Sequence, residues 1–86
     1  VTPTNDIYIS DKYNCAIRRV FSNGTITTIA GGNGCGGTGN GGLAIHAQLD
    51  HPTCVVLYKN QIFICDFLNH AIRKVTANGT ISTVVG

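Results

Sequence analysis

The chain carries two imperfect copies of one segment. Displacing the sequence by 55 positions lays residues 5–31 over residues 60–86 without a gap, and 15 of the 27 aligned pairs are identical. The identities run in order. Ile7, Ile9, Asp11, Asn14, Ala16, Ile17, Arg18 and Val20 recur as Ile62, Ile64, Asp66, Asn69, Ala71, Ile72, Arg73 and Val75, and Asn23-Gly24-Thr25-Ile26 recurs as Asn78-Gly79-Thr80-Ile81. Self-similarity of this kind marks stacked units, each covering a face that its neighbour cannot bury alone.

Inside each copy, short runs rich in β-branched and aromatic residues alternate with turn formers, so the sequence predicts strands. They fall at 6–10, 16–21 and 25–30 in the first copy and at 61–65, 71–76 and 80–85 in the second. A further strand at 53–58 precedes the second copy, with Lys59-Asn60 turning it back. Asn23-Gly24 and Asn78-Gly79 predict tight type I′ hairpins, which need positive φ at both central residues. Only six basic and four acidic side chains occur among 86 residues. That number is too small to solvate amphipathic helices, and the scattered charge gives no concentrated field for nucleic acid or an anionic membrane. No apolar run approaches the roughly 18 to 20 residues that span a bilayer, so membrane insertion is not expected. No targeting segment is expected either.

A four-stranded meander that is apolar on both faces needs cover on both. Val55, Val56, Leu57, Ile62, Phe63 and Ile64 alternate between the two sides. Such a meander, repeated and packed face to face, describes a β-propeller blade. Residues 7–20, IYISDKYNCAIRRV, and 62–75, IFICDFLNHAIRKV, resemble the NHL repeat, in which an apolar strand leads to Asp, Asn-His and Ile-Arg-Lys-Val. The segment between the copies resembles that family's longer variant, in which glycine-rich sequence and Ala47-Gln48-Leu49-Asp50-His51-Pro52 lead into the next blade. Cys15 stands where the pattern, and His70, have histidine. Asn40 stands where the longer variant has aspartate.

The expected fold is therefore all-β: two consecutive four-stranded antiparallel propeller blades, the first lacking most of its innermost strand. Residues 1–31 form the incomplete blade, 32–52 the glycine-rich inter-blade loop and 53–86 the second blade. The chain is 24 residues short of two full periods, so it reads as a fragment of a larger protein or assembly, its partners being neighbouring blades from the same chain or further copies.

Several motifs invite a chemical reading. Gly34-Cys35-Gly36-Gly37-Thr38-Gly39 satisfies the G-x-G-x-x-G pattern, yet no helix of useful length follows to hold a pyrophosphate, which leaves a flexible loop. No carboxylate lies between Gly31 and Gln48 to bind calcium there. Cys35, His46, His51 and Cys54 are suitable zinc donors, but their spacings fit no compact ligand pattern, and they read as surface histidines with buried or bridged cysteines. No cofactor or metal is expected.

All four cysteines fall at one rim of the meander. With Lys59-Asn60 as the turn, Cys54 faces Cys65, and Cys15 can then reach Cys35. Four cysteines allow three connectivities, and an even count converging in space favours an oxidising compartment. Asn23 and Asn78 begin N-glycosylation sequons on hairpin tips. Asp11 with Arg18, and Asp66 with Arg73, read as ion pairs within each blade, because a catalytic group would be unique to one copy.

These features favour a non-catalytic extracellular or cell-surface scaffold, structural or engaged in protein or glycan interaction. Two alternatives follow from the resemblance. Some NHL propellers bind single-stranded RNA on a basic face, for which Arg18, Arg19, Arg73 and Lys74 are the candidates. Others are metal-dependent enzymes with ligands on the central axis, where 53–58 offers none.

Overall fold

The computed structural model describes residues 6–86. Strands β1 (Ile7–Asp11), β2 (Ala16–Val20) and β3 (Ile26–Gly31) form one antiparallel sheet in that order. Strands β4 (Pro52–Tyr58), β5 (Gln61–Asp66), β6 (Ala71–Val75) and β7 (Ile81–Val85) form a second. Among the described residues there is no α-helix, only single 3₁₀ turns at Lys12–Asn14, Ala44–His46 and Phe67–Asn69, and neither sheet closes on itself. The remnant of a fourth strand expected at the start of the first copy lies outside the described residues.

The echo in sequence is an echo in backbone. Each copy places a 3₁₀ turn after its first shared strand and ends it on a left-handed residue, Cys15 at φ 53° and His70 at φ 51°. Each then slips register at the same point, between Ile17 and Arg18 in one sheet and between Ile72 and Arg73 in the other. A bulge at a fixed place twists both meanders alike.

The hairpin tips differ from the expected type I′ geometry. Gly24 and Gly79 have φ 89° and 88°, but neither Asn23 nor Asn78 has positive φ. Gly24 N–H donates to Phe21 O at 2.8 Å and Phe21 N–H to Thr25 O at 2.8 Å, the pattern of a turn over Ser22-Asn23 followed by a left-handed glycine. Three-residue loops of this kind need only one positive φ. The asparagine side chain is thereby released to accept from the backbone two residues on, Thr25 N–H to Asn23 Oδ1 at 3.0 Å. The tight two-residue turn lies instead at Lys59-Asn60, where φ is 49° and 62°, and it pairs Cys54 with Cys65 across the strands.

The core gathers Ile17 and Ala30 from the first sheet, Ile64, Val75 and Ile81 from the second, and Ala44, Ala47 and Leu49 from the segment between them. The glycine-rich segment is thus a structural layer rather than the flexible loop expected. Asn33 Nδ2 donates to three carbonyls, Gly31, Ile45 and Ala47. Gly36 N–H donates to Leu49 O at 3.1 Å and Gln48 N–H to Thr38 O at 3.0 Å. Gly41 and Ile81 continue this onto β7, with Gly41 N–H to Ile81 O at 2.7 Å and Ile81 N–H to Gly42 O at 3.0 Å.

Leu49 fits because Gly31 has no side chain. At φ 72°, a Cβ on Gly31 would collide with the Cys15 carbonyl and stand 3.0 Å from Leu49 Cδ1. Leu49 is fully buried whereas Leu43 is 47% exposed. Leu49→Ala is expected to cost about 2–5 kcal/mol through lost burial and a residual cavity. Leu43→Ala should stay within about 1 kcal/mol. Urea unfolding of the two variants checks the contrast.

Candidate functional site

A group of polar side chains lies where the 3₁₀ turns at Lys12–Asn14 and Phe67–Asn69, the inter-copy segment and the start of β4 meet. The repeated Asp, Asn and Arg form the same constellation twice. In the first copy Arg18 Nε donates to Asp11 Oδ2 at 2.6 Å, Asn14 Nδ2 donates to both carboxylate oxygens at 3.1 and 3.0 Å, and Arg18 Nη1 reaches Thr28 Oγ1 at 2.8 Å. In the second copy Asp66 Oδ2 accepts from Arg73 Nη1 and Asn69 Nδ2, each at 2.8 Å.

Their environments differ because the inter-copy segment lies over the second pair. The side chains of Asp11 and Arg18 are 29% and 33% exposed, those of Asp66 and Arg73 0% and 2%. Asp50 N–H donates to Asp66 Oδ1 at 2.7 Å, and Arg73 Nη1 donates to Gln48 O at 3.1 Å. Asn69 Nδ2 donates to Gly36 O at 2.9 Å. Thr83 does not repeat the contact of Thr28, since its hydroxyl accepts from Asn40 Nδ2 at 2.8 Å. Among the described residues, Arg73 Nε and Nη2 are buried without a hydrogen-bond partner. The first pair therefore joins β1, its following turn and β3, and the second fastens strands to the inter-copy segment.

The four cysteines lie as two bonded pairs. Cys15 joins Cys35 with Cα atoms 5.4 Å apart, and Cys54 joins Cys65 at 5.2 Å. The first ties the 3₁₀ turn after β1 to the glycine-rich segment. The second crosses β4 and β5 in register. Of the zinc donors grouped from the sequence, Cys35 and His51 come together, and His46 and Cys54 do not join them. A different set does: one donor atom each from Cys15, Cys35, Asp50 and His51 lies within 4.8 Å of the others. His51 Nδ1 is 2.7 Å from Asp50 Oδ1, and its ring meets Tyr13 edge-on at 5.9 Å. His51 is held at φ 54°, a left-handed conformation that non-glycine residues adopt at a cost.

Asn23 and Asn78 stand exposed on the hairpin tips. Thr80 differs from Thr25 in being bridged to Leu43 of the inter-copy segment. The basic residues considered for RNA are largely engaged elsewhere. Arg19 Nε donates to the buried Asp6 at 2.9 Å, and its guanidinium lies 4.5 Å from the Phe21 ring centre and 5.5 Å from that of Tyr8. Sequence reasoning missed this Asp6–Arg19 pair, which the second copy does not repeat, having Gln61 and Lys74 at the matching positions. It also missed Asp50 and His51 as companions of Cys15. The one available signal was Cys15 itself, standing where the other copy keeps His70.

The chain matches no protein-family model and no curated protein sequence.

The two Asp–Arg pairs should respond differently to substitution. Asp66→Asn leaves Arg73 buried without its counter-charge and is expected to cost about 3–5 kcal/mol. Asp11→Asn, at the exposed pair, should cost far less. Urea midpoints at neutral pH measure both. The hydrogen bond from Arg18, then those from Asn14, hold the Asp11 carboxyl below its ordinary value of 3.8. Its folded-state value being depressed, the contribution of Asp11 is complete above 3.8 and is lost as pH falls through the lower folded value. Asp11→Asn should therefore flatten stability against pH below about pH 4 and leave the neutral plateau nearly level.

Proposed function

We propose that the chain is part of an NHL-type β-propeller, its two sheets being neighbouring blades of a non-catalytic extracellular or cell-surface scaffold that engages protein or glycan partners. The pair of disulfides at one rim carries this reading. Bridges of this kind persist in oxidising compartments, and the expected sequons at Asn23 and Asn78 suit the same route.

Packing supports the blade assignment. In the first sheet, Ile17, Ala30 and Gly31 are covered by Leu49 and its neighbours. The matching place in the second sheet is an open, largely apolar pocket of about 270 Å³, whose lining includes Cys65, Phe67, His70, Ala71, Ile72 and Val85. Ile72 and Val85 are there the counterparts of Ile17 and Ala30. A further blade bringing its own leucine-bearing segment would fill it. Catalysis finds no support in the repeated aspartates, which are taken up by arginine, asparagine and backbone contacts.

Peptide mass spectrometry of material from the natural source tests the proposal. Linked Cys15–Cys35 and Cys54–Cys65 peptides are expected, with hexosamine on Asn23 or Asn78. Four free thiols together with two unmodified asparagines would overturn it.

A further inference from the structure

Cys15, Cys35, Asp50 and His51 come from three separate stretches of chain and meet at the rim. In the second copy the position of Cys15 is taken by His70. The cluster brings together two sulfur atoms, an imidazole and a carboxylate, the donor types that zinc accepts together.

We propose that this cluster is a redox-gated site for a zinc-class divalent cation: a disulfide when oxidised, and when reduced a metal site of two thiolates, one imidazole and one carboxylate. The geometry is close to what the ion needs. Zinc bonds of about 2.0 to 2.3 Å put tetrahedral donors roughly 3 to 4 Å apart. The four donor atoms already lie within 4.8 Å of one another, so side-chain rotation closes the shell once the sulfurs separate. The backbone is prepared for it. Asp50 N–H is held by Asp66, Asp50 O accepts from Leu68 N–H at 3.0 Å, and His51 is fixed in the left-handed region. Cys15 sits on the 3₁₀ turn, its N–H donating to Lys12 O at 3.1 Å.

The chemistry balances with a dithiol as the reductant. Its thiolate attacks the sulfur of Cys35, the exposed residue of the pair, expelling Cys15 as thiolate, and its second sulfur then displaces Cys35 as the reductant closes into its own disulfide. The two electrons come from the dithiol. Cation binding takes both cysteines as thiolates and releases any protons they had gained. The site draws all its donors from this chain and so does not depend on the number of blades.

Cobalt(II) is the probe, because its thiolate charge-transfer and ligand-field absorptions report sulfur ligation and tetrahedral geometry. The reduced chain is expected to bind one equivalent anaerobically and to yield it to zinc, and the oxidised chain to bind none. Cys35→Ser, at an exposed position, should at least halve the thiolate band because only Cys15 is left to supply it, His51→Gln and Asp50→Asn should each weaken binding by at least about tenfold, and Cys54→Ser should leave it unchanged. Circular dichroism verifies that each variant retains its strands. Absence of tetrahedral cobalt bands in the folded reduced chain would overturn the proposal. Wild-type affinity in His51→Gln or Asp50→Asn, or equal binding by the urea-unfolded chain, would do so too.

Discussion

The architecture depends on a short stretch, Gln48-Leu49-Asp50, that faces both sheets at once. Its leucine fills the space that Gly31 leaves open on the first sheet. Its flanking backbone groups accept from Arg73 and donate to Asp66 on the second. Neither sheet has a core of its own, since the buried residues of both form one cluster with Ala44, Ala47 and Leu49. Apolar burial supplies the attraction. The buried Asp66–Arg73 pair supplies direction, because a charge removed from water tolerates only the arrangement that satisfies it.

Duplication and divergence are visible side by side. The strands, the 3₁₀ turns, the left-handed residues after them and the register slips coincide in the two copies, as do the aspartate, asparagine and arginine. What differs is cover. One Asp–Arg pair lies under the inter-copy segment and the other meets solvent, so identical residues perform in different dielectric surroundings. Where backbone geometry is held constant in this way, a single exchange such as cysteine for histidine at a left-handed position changes chemistry without disturbing the fold.

Much of this was legible from residues alone. Alternating apolar residues and turn formers placed all seven strands to within a residue or so, and the Lys59-Asn60 turn determined the facing of Cys54 and Cys65. The hairpin tips were misread because Asn-Gly suits two turn geometries, and the choice between them depends on how the flanking strands space themselves. The glycine-rich segment was misread for a related reason. Its order comes from backbone hydrogen bonds to distant carbonyls and from Asn33 reaching three of them, and such contacts leave no periodic trace. Asp50 and His51 were invisible as neighbours of Cys15, since about 35 residues of chain separate them and only the tertiary fold closes the gap.

The bridge between Leu43 and Thr80 occupies the outer border of β7 with a strand-like stub. That stub takes the backbone groups of Gly79 and Ile81, so the ladder is already engaged where β7 begins. An incoming strand would have to displace the inter-copy segment before it could extend the ladder at that end of β7.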